Sequence, residues 1–195
     1  MSLYKARKAI NPFIFGKALD LATSGLRDRG KTLVITGFWR SGTTFVLEQA
    51  CRLLNGKPVF EPLYHECPPY DRLLERFLTD DRERSKLKEF FMPGEDAFDD
   101  AEFSRYLDRC LRYAYSDKWT RQCRPTLCEY DLHTSRTRRL IVENQMSVRQ
   151  QVVLKMVRGA LIAPGLQKRL NCPMLHVRRN PCAILASMRK TSWPN

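Results

Sequence analysis

Residues Gly37–Thr44 read GFWRSGTT and bring together two glycines, one arginine and three hydroxyl side chains. A phosphate-binding loop has glycine, four residues, glycine, lysine, then serine or threonine. Gly37, Gly42 and Thr44 keep that spacing, and Thr43 stands where the lysine belongs. A glycine-rich turn between a strand and a helix aims backbone N–H groups at one point, where the helix dipole adds partial positive charge. Gly37 permits a tight turn, Gly42 lets the backbone approach an oxyanion, and Thr43 and Thr44 offer hydroxyl donors. The usual lysine serves a triphosphate assisted by magnesium. Arg40 can instead fork onto a smaller anion, so the loop reads as one built for a terminal group of lower charge. An ordinary strand–helix turn matches so short a pattern as well. A second cluster lies in Val177–Ser187, VRRNPCAILAS. Arg179 ends a run of strand character, Asn180 and Pro181 open a helix, and Ser187 follows two turns in. Such an arginine and serine can grip a separate phosphate; a surface ion pair is the alternative.

These residues need a scaffold that presents strand ends and helix starts together. Thr32–Phe38 is a short β-branched apolar run and reads as a buried strand. Thr43–Asn55 reads as a helix with an apolar stripe of Phe45, Val46, Ala50, Leu53 and Leu54, stopped by Gly56. Lys57–Phe60 is a second strand. Strand, loop, helix and strand in that order begin a doubly wound α/β sheet. The segments PYDRLLERFLTDDRERSKLKEFF and DAEFSRYLDRCLRYAYSDKW are charged, amphipathic and helical, with Met92–Asp100 separating them. Asp117–His133 reads as irregular, and Thr134–Gln151 as a helix with a basic start, SRTRRL. The α/β pattern returns with the strand VVLKM, a helix or turn through Leu161–Leu170, the run Met174–Arg178, and a helix from Pro181. A parallel sheet with so few strands leaves an edge unpaired, which predicts further C-terminal sequence. Lys57 and Arg178 read as surface charges.

The 195 residues suffice for one domain, and 34 Lys plus Arg against 21 Asp plus Glu give a net charge of +13. That excess favours an anionic partner: nucleic acid, nucleotide, acidic polysaccharide or membrane surface. The basic residues are scattered among acids rather than interleaved with aromatics in one stripe, so no nucleic-acid partner is expected. Lys17, Asp20 and Arg27 break the apolar residues near the N-terminus. No signal peptide, membrane anchor or transmembrane segment is therefore expected, and a cytoplasmic location is. Asn11 and Pro12 read as the cap and first turn of a packing helix, with Phe13, Ile14, Ala18, Leu21 and Ala22 on one face. The seven cysteines include no CxxC pair and are expected as thiols. Cys123 and Cys128 are the best local disulfide candidates in an oxidising compartment. His65, His133 and His176 lack ligand spacing with cysteines, so no metal site is expected.

Taken together, the two clusters resemble the sulfotransferase family, whose donor is 3′-phosphoadenosine 5′-phosphosulfate (PAPS). RSGTTF is similar to the family's 5′-phosphosulfate loop, which implies donor contacts from Arg40, Ser41, Gly42, Thr43 and Thr44. RNPCAILAS is similar to its 3′-phosphate motif, an arginine followed eight residues later by a serine, here Arg179 and Ser187. FEPLYH, Phe60–His65, resembles the segment after the second strand of carbohydrate sulfotransferases, and VLKMVRGAL their Lys-x-x-Arg segment. The chain departs from the family at Asn180, commonly Asp, and at Cys182, often Arg.

The resemblance implies an α/β fold, a P-loop-like parallel sheet flanked by helices with a helical insertion in mid-chain. Residues 1–195 would form one domain, with 32–63 and 152–190 as nucleotide-binding core and 64–151 as the acceptor region. It implies sulfuryl transfer from PAPS to a hydroxyl, on a carbohydrate, with no metal and with Arg40 replacing the absent lysine. Glu61, at the end of the second strand beside the loop, is the first choice for the base; a helix cap or an ion pair with an arginine is the alternative. His65 is the rival base, since cytosolic sulfotransferases use a histidine. Lys155 is assigned with Arg40 to the bridging or leaving oxygens. Arg158 is assigned to neighbouring carboxylates or the nucleotide, and the cluster Arg136, Arg138 and Arg139 either to an acidic glycan or to a solvated helix face. Tyr64, Tyr70, Trp119 and Tyr130 read as packing or as sugar-stacking rings. A degenerate P-loop nucleotide-binding protein or kinase is the other reading. It predicts ATP with magnesium, against the absent lysine and the lack of a strand ending in a metal-binding Asp.

Overall fold

The computed structural model describes residues 21–22, 24–65, 67–80, 82, 86–88, 90–115, 120 and 151–190. The helix expected after Asn11, the Cys123 and Cys128 pair, the Arg136–Arg139 cluster, Trp119, Tyr130 and the helix expected from Thr134 lie outside the described residues. Four strands, β1 (Leu33–Gly37), β2 (Lys57–Phe60), β3 (Val152–Met156) and β4 (Met174–Val177), pair in parallel in the order β2-β3-β1-β4. Parallel strands need crossovers, and helices supply them. Helix α1 (Thr43–Leu54) joins β1 to β2. Helices α2 (Pro68–Phe77) and α3 (Ala101–Leu111) intervene before β3, α4 (Ala163–Leu170) joins β3 to β4, and α5 (Pro181–Lys190) follows β4. The chain is thus an α/β protein with a parallel sheet flanked by helices.

Side chains alternate across a strand, so register assigns them to faces. Lys155 lies opposite Ile35 on one side and Phe60 on the other. On that face Ile35 and Val153 are buried against Leu47 and Cys51 of α1, with Phe60 and Val177 packed alongside. On the other face Val34, Val59, Leu154 and Met156 meet Tyr70 and Leu74 of α2, Phe103 and Leu107 of α3, and Leu166 of α4. This second layer is the larger core.

The α1 stripe differs from the sequence expectation. Thr43, Leu47 and Cys51 face the sheet, Val46 and Ala50 pack at its margin, and Phe45, Leu53 and Leu54 are exposed. Residues four apart stack on one side of a helix, and a flat sheet accepts only that narrow row. The helix ends as Gly56 predicts: Asn55 turns left-handed at φ 48° and the Asn55 and Gly56 N–H groups both donate to Cys51 O.

The α3 start is held by its cap. Asp100 Oδ1 accepts from the N–H groups of Glu102 at 2.8 Å and Phe103 at 2.9 Å. Arg76 of α2 reaches Asp100 Oδ2 at 3.1 Å and Glu102 at 2.6 Å, tying the two helices. The Phe103 N–H bond, with Arg76 and the Glu102 N–H adding to it, holds the Asp100 carboxyl below its usual range.

Lys57 is not a surface charge. It is fully buried, with Nζ 4.4 Å from the centre of the Tyr113 ring. The segment after α3 folds over the start of the sheet: Thr32 Oγ1 donates to Leu111 O at 2.9 Å, and buried Arg27 donates to Arg112 O at 3.2 Å. The aromatic face of Tyr113 takes the cation that water would otherwise solvate. Arg178 is exposed, as its sequence setting suggests.

Candidate functional site

β1 ends at Gly37, and the loop to α1 turns on two left-handed residues, Arg40 at φ 62° and Gly42 at φ 94°. Gly42 is required by its backbone conformation. Gly37 is required by space: a Cβ there would stand 2.7 Å from Val177 O and 2.8 Å from Ser41 Oγ. The first glycine therefore lets the loop lie against β4 instead of shaping the turn. Ser41 N–H donates to Phe38 O at 3.1 Å, closing the turn, and α1 begins at Thr43. The N–H groups of the first turn of a helix lack partners within it, and Gly42, Thr43 and Thr44 line a cavity of about 470 Å³. Ser41 Oγ is buried without a hydrogen-bond partner among the described residues.

The second cluster meets this loop directly. Asn180 Oδ1 caps α5 by accepting from Cys182 N–H at 2.8 Å, with Pro181 in the first helical position. The cap fixes Arg179 before the helix and Ser187 two turns along it. Arg40 Nε donates to Ser187 Oγ at 3.2 Å, and Arg179 Nη1 donates to the Arg40 carbonyl at 3.1 Å. Residues nearly 150 positions apart thus form one cationic, hydroxyl-rich wall at the carboxyl ends of β1 and β4. The strand order changes side at β1, with β3 and β2 on one flank and β4 on the other. In open α/β sheets ligands bind in the crevice at such a point.

Glu61 and Lys155 line the same cavity. The sequence places Glu61 beside the phosphate loop; the strand order instead sets β3 between β2 and β1, so Lys155 is the nearer of the two to the loop strand. Glu61 follows β2 with a left-handed backbone, φ 42°, and its N–H donates to Lys155 O at 2.9 Å. Its side chain turns back over β3. Oε1 lies 2.9 Å from Lys155 Nζ, and Oε2 accepts from Val157 N–H at 3.0 Å. The two side chains are only 5–6% exposed. Lys155 Nζ also sits 4.0 Å from the centre of the Phe60 ring. The alternative ion pair expected for Glu61 is therefore present, with a lysine in place of an arginine. His65 is half-buried, its ring centre 4.3 Å from that of Tyr64, and it is not among the residues lining the cavity.

Of the lining residues, Trp39, Phe60, Phe90 and Val157 carry no site role in the sequence analysis, and Tyr64 and Arg158 carry only alternatives. Trp39 sits inside GFWRSGTT and Arg158 three residues after Lys155, so proximity to a motif was the available signal. Phe90 had none, lying in a charged helical run. Tyr70, fully buried beneath this region, has its hydroxyl pushed well above the usual value by burial, with the Arg158 charge opposing. His176 Nδ1 is 2.9 Å from Thr36 Oγ1, on the face away from α1.

Comparison of the chain with protein-family models, with curated proteins and with solved structures finds no match to any of them. Among the described residues no helix is long and apolar enough to cross a membrane. Among those residues no group of three His, Cys, Asp or Glu side chains is placed to hold a metal ion.

Proposed function

We propose that the chain is a sulfotransferase that takes a sulfuryl group from PAPS and delivers it to an acceptor hydroxyl on a carbohydrate. The observation that carries this reading is the hydrogen bond from Arg40 to Ser187, with Arg179 on the Arg40 carbonyl. It joins two anion-binding elements into one wall, as a ligand with two separate anionic ends requires. The residues present fit such a donor. Ser41 Oγ is a buried donor without a partner among the described residues, and Gly42, Thr43 and Thr44 line the cavity at a helix N-terminus. These residues, with Arg40, would hold the 5′ end; Arg179 and Ser187 would hold the 3′-phosphate.

The donor supplies an activated sulfuryl group and a stable nucleotide leaving group. The chain's own residues do the rest. Glu61 accepts the proton of the acceptor hydroxyl at Oε1 or Oε2. The Val157 N–H and Lys155 fix its carboxylate, so its orientation is set before an acceptor arrives. Lys155 and Arg40 place positive charge where negative charge develops. The apolar surroundings of Lys155 and Glu61 strengthen that effect by excluding water. His65 remains the second choice for the base. A cytoplasmic setting belongs to this reading, because seven cysteines without a CxxC pair suit a reducing compartment.

Calorimetric titration of the full chain with adenosine 3′,5′-bisphosphate, ATP–magnesium and a DNA oligonucleotide tests it. The expected result is tight binding of the bisphosphate alone, lost in Arg179→Ala, with transfer of labelled sulfate from PAPS to a hydroxyl compound. Preference for ATP–magnesium would replace the reading with the degenerate P-loop kinase, and binding of DNA alone would replace it with a nucleic-acid module.

A further inference from the structure

The cavity stands at the carboxyl ends of the strands, and the opposite pole of the sheet is a surface of another kind. Gln151, just before β3, ties that pole together. Its carbonyl accepts from Lys57 N–H at 2.8 Å, and its Nε2 donates to Lys31 O at 3.2 Å. The last turn of α1 lies just before Lys57, and the end of α3 takes the hydrogen bonds from Thr32 and Arg27. Pro173, beyond the end of α4, accepts from Val34 N–H at 2.9 Å. Three helix ends and the segment before β1 thus lie at the amino ends of the strands.

Two kinds of side chain are exposed there. Leu53 is 85% exposed, Leu26 71% and Leu54 40%. Lys31, Arg52 and Lys168 are exposed as well. The acids nearby are engaged: Asp28 accepts from Gly30 N–H at 2.9 Å, and Asp108 pairs with Arg112 at 3.3 Å. Arg52 and Lys168 stand in the last turns of α1 and α4, where a cation offsets the helix dipole. That role accounts for the charges and not for the leucines beside them. A single exposed leucine is ordinary. Leucines grouped with lysine and arginine match a lipid headgroup boundary, where apolar side chains enter the acyl region and cations meet anionic headgroups. A net charge of +13 draws the chain to such a surface from further away. A bilayer is also broad enough to meet α1, α4 and the segment before β1 together.

We propose that this pole docks the chain on a bilayer carrying anionic lipids, with Leu26, Leu53 and Leu54 entering the boundary and Lys31, Arg52 and Lys168 meeting headgroups. The proposal is independent of the transfer reading. Docked this way, the chain turns its cavity toward the solution.

The test is co-sedimentation of the full chain with vesicles of phosphatidylcholine alone and of an equimolar mixture with phosphatidylserine. The mixed vesicles should bind the chain at least about tenfold more tightly, and added salt should release it. Leu26→Asp combined with Leu53→Asp should weaken that binding at least about tenfold, and Arg52→Gln about fivefold. Lysine acylation read by mass spectrometry on the unaltered chain locates the contact, because mixed vesicles should protect Lys31 and Lys168. Equal binding to both vesicles, binding that survives the double leucine substitution, or unchanged acylation of Lys31 overturns the proposal. Displacement from the vesicles by a tighter-binding DNA oligonucleotide overturns it too and reassigns the surface to nucleic acid. Should the double variant fail to fold, Leu53→Asp alone and the acylation pattern decide.

Discussion

Two polar pairs stand on the same cavity in opposite surroundings. Glu61 and Lys155 are buried, 2.9 Å apart, with a backbone N–H on the second carboxylate oxygen. Arg40 and Ser187 meet at 3.2 Å with Arg40 exposed. Removing one member of a buried ion pair strands a charge in a poorly polarisable interior, whereas an exposed polar pair exchanges readily with water. The first pair is therefore locked and suits a task that depends on fixed geometry. The second is replaceable and suits a ligand whose oxyanions take over its hydrogen bonds. Similar chemical groups acquire different uses from depth alone.

The largest expected effect attacks the locked pair. Glu61→Ala should cost about 3–5 kcal/mol in urea unfolding, because Lys155 is left buried without its carboxylate partner, and should lower the proposed sulfate transfer by about 100-fold or more. Combining Glu61→Leu with Lys155→Met should recover much of the stability and none of the activity. Recovery of both would break the comparison. Gly37→Ala comes next. A methyl 2.7 Å from Val177 O must push β4 from the loop, at about 1–3 kcal/mol, and should weaken bisphosphate binding in the same titration. Ser187→Ala should leave unfolding within about 0.5 kcal/mol of the unaltered chain while weakening the bisphosphate about 5- to 10-fold. A large stability loss there would show that the exposed pair is structural after all. The smallest effect lies away from the cavity, at the α3 cap. Asp100→Ala should cost about 1 kcal/mol at neutral pH. The folded Asp100 carboxyl is held below its usual value, so its stabilisation is present above the unfolded value, about 3.9, and is lost as pH falls through the folded one. The gap between variant and unaltered chain should close below about pH 4 in paired urea titrations.

The strand positions and several helix ends were legible because local chemistry marks them. Lys57–Phe60 was read with its observed bounds, set off by Gly56 and by the turn at Glu61. Asn180 and Pro181 announced α5, and Gly42 before Thr43 announced α1. Strand order was not legible. Nothing in VVLKM says that it inserts between the first two strands, yet that insertion puts Lys155 under Glu61. The depth of Lys57 was hidden for a similar reason, since Tyr113, the ring over its ammonium, lies 56 residues later in the chain. The α1 stripe was misread at Phe45, Leu53 and Leu54 because an apolar residue counts equally on any side of a helix until the sheet selects a row. At the site, the hydroxyl and arginine positions were visible as motif, while the meeting of Phe90 and Arg158 on one cavity required the fold to bring distant segments together.

Arg40 and Glu61 share one property that no motif records: each carries a long charged side chain on a left-handed backbone. Such positions are disfavoured by about 1–3 kcal/mol unless glycine occupies them. A laboratory selection for heat resistance would therefore be drawn to glycine at 40, where the side chain is exposed, and not at 61, where glycine would strand buried Lys155. Variants gained that way should emerge sturdier and inert, so thermal screening of this chain has to be coupled from the start to a readout of what the cavity holds.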